Sequence, residues 1–257
     1  MKVRLKDFTE ADLRRRLKRE GIGLDLGAAR VRYRSDVSQT ATLLRVVYGE
    51  FPLADDSHIF DVTADLRRLR GVRRFIRPQV ELWIDGATEF ERFPLDTSLP
   101  LLEWGVNYAL AARLYCYLML HAGAVARGSA GLLLPAMPGS GKSTLTAVLS
   151  CRGFRLLSDE FGVIRPSDGR MLPLLRPVGL KNESIGIVRA AAPAAVLGPP
   201  FPNTRKGTVA HLAPQMADVD ALSQPVQPRL VIFPRYETGA DLEIEELPQT
   251  RAFGRLV

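Results

Sequence analysis

The pattern of apolar and polar positions changes character near residue 96. Before it, the runs are short. "DFTEADLRRRLKRE" (7–20) predicts a short helix, and "AARVRYRS" (28–35), "ATLLRVVYGEF" (41–51) and "IFDVTADL" (59–66) predict strands. "VELWIDGATEFERF" (80–93) predicts a hairpin, because Asp85-Gly86 suits a tight turn that needs positive φ. The expectation is a mixed α/β module over 1–95, followed by a larger α/β unit over 96–257.

The second unit opens with Asp96, Thr97 and Ser98 as candidate caps and Pro100 in the first turn of a long apolar helix reaching about Leu120. "GAVAR" and "AGLLLPA" then predict two strands joined by a Gly-Ser turn. "KSTLTAVLSCRG" predicts a helix closed by Gly153, and "FRLLSDEFGVIRP" one buried strand between Gly153 and Pro166. Beyond Pro166, frequent Pro and Gly predict short strands and loops, with "PRLVIFPRY" as one more apolar strand.

Composition narrows the class. The chain has 257 residues, 46% hydrophobic and 25% charged, the balance of a soluble globular protein. Cys116 and Cys151 are the only cysteines and lack any metal spacing, which suggests a reducing cytosol and a cytoplasmic protein. The charged N-terminus does not read as a secretory signal. Glu103, Asn107 and Arg113 interrupt the apolar stretch 101–123, which reads as a buried helix and not a membrane span. A net charge of +7 attracts polyanions, among them ATP, acidic peptides and nucleic acid. The arginine runs at 14–19 and 67–74 lack a nucleic-acid motif and aromatic interleaving, so solvated faces or a groove for an anionic peptide fit them better.

The chemistry concentrates in "AMPGSGKS" (136–143). Between a strand and a helix, this is a phosphate-binding loop with alanine at its first position where glycine is usual. Ala136 is tolerable there if its φ is negative. Met137, Pro138, Gly139, Ser140, Gly141, Lys142, Ser143 and Thr144 would form the nucleotide site. The two glycines let backbone N–H groups curl around phosphate, Lys142 supplies charge, Ser143 a ligand for Mg²⁺, and Thr144 reaches the α-phosphate. On the next strand, Asp159 would anchor Mg²⁺ and Glu160 could act as a base.

His121 precedes this loop, and the order of histidine, loop and acidic pair is similar to the catalytic domain of bacterial HPr kinase/phosphorylase. "LEWGVNYALA", "LLLPAMPGSGKSTL", "RLLSDE", "RPVGLKNESI", "KGTVAHL" and "FPRY" resemble more closely the HPr kinase-related proteins of subfamily A. The resemblance covers most of 101–236. It implies an α/β fold with a P-loop catalytic domain like the C-terminal domain of HPr kinase, beside a smaller N-terminal module. It implies ATP and Mg²⁺ as cofactors, Asp159 as the base and Mg²⁺ contact, and His121 as the group that tunes it.

Glu160 stands where the parent enzyme has aspartate, Thr144 where it has glutamate, and the parent's HPr-gripping helix is not recognisable. A serine in a peptide or small protein, as in lasso peptide pathways, is then a better acceptor than HPr. The parent is hexameric, which raises a homo-oligomer as an expectation. Farther on, Arg176, Lys181, Asn182, Glu183, Arg205, Lys206, His211 and Arg235 lie in loops or at strand ends. Lys181 and Lys206 suit the transferring phosphate or an acidic acceptor. The competing readings are a nucleotide-switched NTPase using Glu160, a small-molecule kinase of the free-serine type, and a binding module with a decayed loop.

Overall fold

The computed structural model describes residues 3–55, 57, 59–71, 76–88 and 90–256. It is mixed α/β. The first sheet is built on helix α1 (Glu10–Lys18), β1 (Ile22–Asp25), β2 (Arg30–Ser35), α2 (Gln39–Val47), β3 (Val62–Arg68), β4 (Gln79–Ile84) and β5 (Phe93–Pro94). Its strand order is β1-β2-β3-β4-β5, with β2 and β3 parallel and the other neighbours antiparallel. Thr9 caps α1 by accepting from the Asp12 N–H at 3.1 Å.

The expected strand over 41–51 is instead helix α2. Thr40, Leu43, Leu44 and Val47 are buried at helical spacing. The reason is topological: parallel β2 and β3 need a crossover, and this segment supplies it. The hairpin expected after Val80 forms as β4 and β5, with Asp85 at φ 47° and Gly86 at φ 85° in its turn.

Helix α3 (Ser98–Arg113) follows, and it stops well before Leu120. Leu118 onward is strand β6 (Leu118–Arg127), drawn out by pairing with β9 (Phe161–Ile164) at its start and with β7 (Ala130–Pro135) at its end. No side-chain cap bond forms at Thr97; its hydroxyl donates to the Pro94 carbonyl. α3, which the boundary at 95/96 assigns to the second unit, packs on β3 and β4. Gly105 makes this close: a methyl group there would meet Leu82 Cδ2 at 2.0 Å.

Helix α4 (Lys142–Cys151) leads to β8 (Arg155–Ser158) and β9 (Phe161–Ile164). The single strand expected over 154–166 is therefore two, both antiparallel to β6, with Asp159 and Glu160 at the break. The Ser158 hydroxyl makes that break by accepting from the N–H groups of Glu160 and Phe161. The remaining elements are β10 (Met171–Leu172), β11 (Val178–Lys181), α5 (Glu183–Ala191), β12 (Phe201–Thr204), β13 (Gly207–Leu212), α6 (Met216–Asp220), β14 (Gln227–Val231) and α7 (Gln249–Gly254). The second sheet runs β10-β9-β6-β7-β14, with β8 also on β6, and the third is β11-β13-β12.

One hydrophobic cluster links the first sheet, α3, α4 and the third sheet. The arginines of α1 are committed to neighbouring acids, Arg14 to Glu10, Arg15 to Asp12 and Arg16 to Glu20. Arg67 pairs with Asp65 and lies 4.5 Å from the Trp83 ring centre. Residues 72–74 of the second arginine run are outside the described residues. Among the described residues no helix is long and apolar enough to cross a membrane.

Candidate functional site

The 136–141 loop leaves β7 and feeds α4. Gly139 (φ 88°) and Gly141 (φ 83°) both occupy the left-handed region that favours glycine, whereas Ala136 keeps negative φ. The glycine missing from the first position is thus not required by the backbone. Gly141 caps α4, whose first N–H groups have no intrahelical acceptor.

Asp159 is the centre of the charge arrangement. It is 5% exposed, and neither carboxylate oxygen accepts a hydrogen bond of ordinary geometry among the described residues. The Lys142 ammonium donates to its backbone carbonyl and lies 3.5 Å from its Oδ1. Burial pushes the Asp159 carboxyl above the usual carboxylate range; the Lys142 charge opposes that rise, Glu160 adds to it, and the Ser143 hydroxyl opposes it. Two orphaned oxygens beside a serine hydroxyl fit a hard divalent cation. Mg²⁺ typically takes one or two protein oxygens and fills its octahedron with water and phosphate. Among the described residues no group of three or more His, Cys, Asp or Glu forms a protein-only cage; Ser143 and Asp159 are the residues that could hold such an ion.

His121 meets Glu160 rather than being buried against Asp159. Its Nδ1 is 3.8 Å from Glu160 Oε2, and both side chains are substantially exposed. Strand pairing explains this: His121 is opposite Phe161 on β9. Lys181 ends β11 as an exposed residue; partial desolvation of its ammonium first, and then the charge of Lys206, hold it below the ordinary lysine range, while Glu160 and Asp159 oppose the shift and Lys142 adds to it. Lys142, Asp159, Glu160, Lys181 and Lys206 therefore share one electrostatic neighbourhood.

A cleft of about 440 Å³ opens beside Asp159. Phe93, Leu101, Trp104, Leu174 and Val209 give it an apolar interior, and Lys181 and Lys206 line it with Asp159 and Glu160. Its size is that of a small-ligand pocket. His211 lines it too, 5% exposed, with an Nδ1 that has no hydrogen-bond partner among the described residues.

The other candidates have structural duties. Arg176 is buried and pairs with Glu103 Oε2 at 2.6 Å, and Tyr48 donates to the same carboxylate at 2.9 Å. Asn182 (φ 49°) accepts from the Thr208 N–H and shapes the turn beside Lys181. Glu183 opens α5, Arg205 pairs with Glu91, and Arg235, 86% exposed, is 3.5 Å from Glu237. Glu103 carried a legible signal, a lone acid inside an apolar helix that needs a buried partner. Tyr236 lies in the "FPRY" segment, but no local pattern marks its place against the loop, which tertiary packing sets. Family models, curated proteins and solved structures were all compared with the chain, and none matches.

Proposed function

We propose that the protein is an ATP- and Mg²⁺-dependent kinase that transfers the γ-phosphoryl group to a serine hydroxyl of a peptide or small protein. The observation that carries this reading is the buried, unsatisfied Asp159 carboxylate between the Lys142 loop and the 440 Å³ cleft. A base must face both the phosphoryl donor and the acceptor, and Asp159 borders both regions. The resemblance to HPr kinase-related proteins points the same way.

In this reading Lys142 and the loop N–H groups hold the β- and γ-phosphates, and Ser143 and Asp159 would hold Mg²⁺, which would neutralise charge on the phosphates. Asp159 takes the proton from the serine hydroxyl as that oxygen bonds to phosphorus and the bond to ADP breaks. Lys181 stabilises the transferring group, and Lys206 binds an acidic acceptor. Glu160 and His121 hold the outer edge of the site.

The cleft's size favours one second reading, a small-molecule hydroxyl as acceptor. The test is incubation with γ-labelled ATP and Mg²⁺, with serine peptides or with free serine and related hydroxy acids, followed by mass spectrometry. Phosphate on a peptide serine supports the proposal. Phosphate only on a low-mass product supports the second reading, and free phosphate with no acceptor labelled would sink both in favour of an NTPase.

A further inference from the structure

The chain beyond β14 folds back over the 136–141 loop. β14 is parallel to β7, so both strands end on the same side of the sheet. The Tyr236 N–H donates to the Ser140 carbonyl at 3.2 Å, which fixes the tyrosine backbone against the loop. Gly141 faces it so closely that a methyl group there would stand 3.1 Å from Tyr236 Cβ. Yet the Tyr236 side chain is 64% exposed. Its ring and hydroxyl make no aromatic, cation–π or hydrogen-bond contact among the described residues. Met137, at the other end of the loop, is 78% exposed. An aromatic ring pinned by its backbone and left bare on one side has a face to offer.

The sheet order assigns that face a direction. β7 carries the loop, with β6 on one side and β14 on the other. Asp159 belongs to the β6 side, between β8 and β9, and Tyr236 follows β14. A nucleotide whose γ-phosphate lies at Lys142 and Asp159 has its opposite end toward β14. We propose that Tyr236 is the stacking platform for the nucleotide base, with Met137 supplying an apolar, polarizable contact at the loop's other end. This rests on the nucleotide reading above and adds to it a base subsite and its selectivity. A ring face reads no base edge, so the site accepts ATP and GTP with similar affinity and favours purines over the smaller pyrimidines.

The experiment is calorimetric titration of wild type, Tyr236→Ala and Tyr236→Phe with Mg-ATP, Mg-GTP, Mg-CTP and inorganic tripolyphosphate, with circular dichroism to check folding. Tripolyphosphate separates the loop from the base. The expected result is a loss of about tenfold in ATP affinity for Tyr236→Ala, with tripolyphosphate affinity unchanged and Tyr236→Phe like wild type. Equal losses for ATP and tripolyphosphate would make Tyr236 a prop for the loop and overturn the platform. An unchanged ATP affinity in Tyr236→Ala would overturn it too. Wild-type binding of tripolyphosphate as tight as ATP would remove the base subsite while leaving the phosphate loop standing. Binding of neither would overturn the nucleotide reading itself.

Discussion

Lys142 and Asp159 hold each other out of water: the ammonium donates to the Asp159 backbone carbonyl and lies 3.5 Å from its Oδ1. Both residues are at least nine-tenths buried. Removing one partner of such a pair leaves the other charge uncompensated. Lys142→Met is expected to destabilise the fold by about 3 kcal/mol, and adding Asp159→Asn to recover most of that loss. Urea denaturation of the four proteins in the cycle measures the coupling. A coupling near zero would show that the two groups do not sense each other in the folded chain.

Asp159→Asn alone separates binding from chemistry. The amide keeps the size of the carboxylate, so the loop and its glycines stay in place and nucleotide still binds. The base is gone, and phosphoryl transfer should fall by about 10²–10⁴-fold. Labelled transfer or background ATP hydrolysis, together with calorimetric nucleotide binding, reads both effects. Near-wild-type turnover in the variant would remove Asp159 from the base role.

The local elements around the loop are legible in the sequence, and where the sequence misleads the causes are physical. The strand, loop and helix around 136–151 follow from apolar run, glycines and helix formers, and they fold as read. Segment 41–51 misled because Val46 and Val47 favour strands locally, while the parallel β2–β3 pair demanded a crossover helix. Segment 114–120 contains neither glycine nor proline, so nothing local marks where α3 gives way to β6. "PRLVIFPRY" reads as one apolar strand, but β14 (Gln227–Val231) ends at Val231 and the rest is irregular, and Leu230 is exposed because β14 lies at the sheet's edge. The acids at 159–160 could be named from sequence, but not the burial that distinguishes them: Asp159 is enclosed and Glu160 stands half open beside His121.

Asp218 supplies a stability switch away from the site. Its carboxylate accepts from the Leu156 N–H at 2.8 Å and the Gln215 N–H at 2.9 Å, tying α6 to β8. Burial nevertheless dominates and pushes its carboxyl up to about 6 from an ordinary 3.8. For an acid with a raised folded value, the native state keeps its proton longer than the unfolded chain. This contribution is therefore present below about pH 4 and is lost as pH rises toward 6. The loss should amount to about 2–3 kcal/mol. Comparing urea midpoints of wild type and Asp218→Asn between pH 4 and 7 isolates it, since the variant lacks this slope. Parallel pH profiles for the two proteins would show that Asp218 titrates normally.

Gly123 sets the distance between α4 and β6. A methyl group at this position would lie 2.2 Å from Thr146 Oγ1, whose hydroxyl donates to the Lys142 carbonyl at 2.9 Å. Gly123→Ala should therefore cost about 1–3 kcal/mol by overpacking. It should also weaken ATP binding, because α4 carries Lys142 and Ser143 and must shift to admit the methyl group. Thermal unfolding and nucleotide affinity measured together test this. A variant as stable as wild type and equally tight for ATP would mean that the helix adjusts without moving its first turn.

Lys181 and Lys206 form a like-charged pair with no ion-pair partner within 4.0 Å among the described residues. Partial desolvation lowers the exposed Lys181 ammonium first, and the neighbouring Lys206 charge lowers it further. An arrangement that makes a cation reluctant becomes favourable when a dianion arrives, which is what a transferring phosphoryl group resembles. Lys206→Gln should then raise the proton affinity of Lys181, and inorganic phosphate or tripolyphosphate should do the same in wild type. Lys181→Gln should reduce transfer by about 10²-fold while leaving nucleotide binding nearly intact. Reductive ¹³C-methylation followed by NMR titration resolves the Lys181 resonance and its midpoint in each protein. A midpoint that Lys206→Gln and added phosphate both leave unmoved would show that the two lysines and the anion do not share one site.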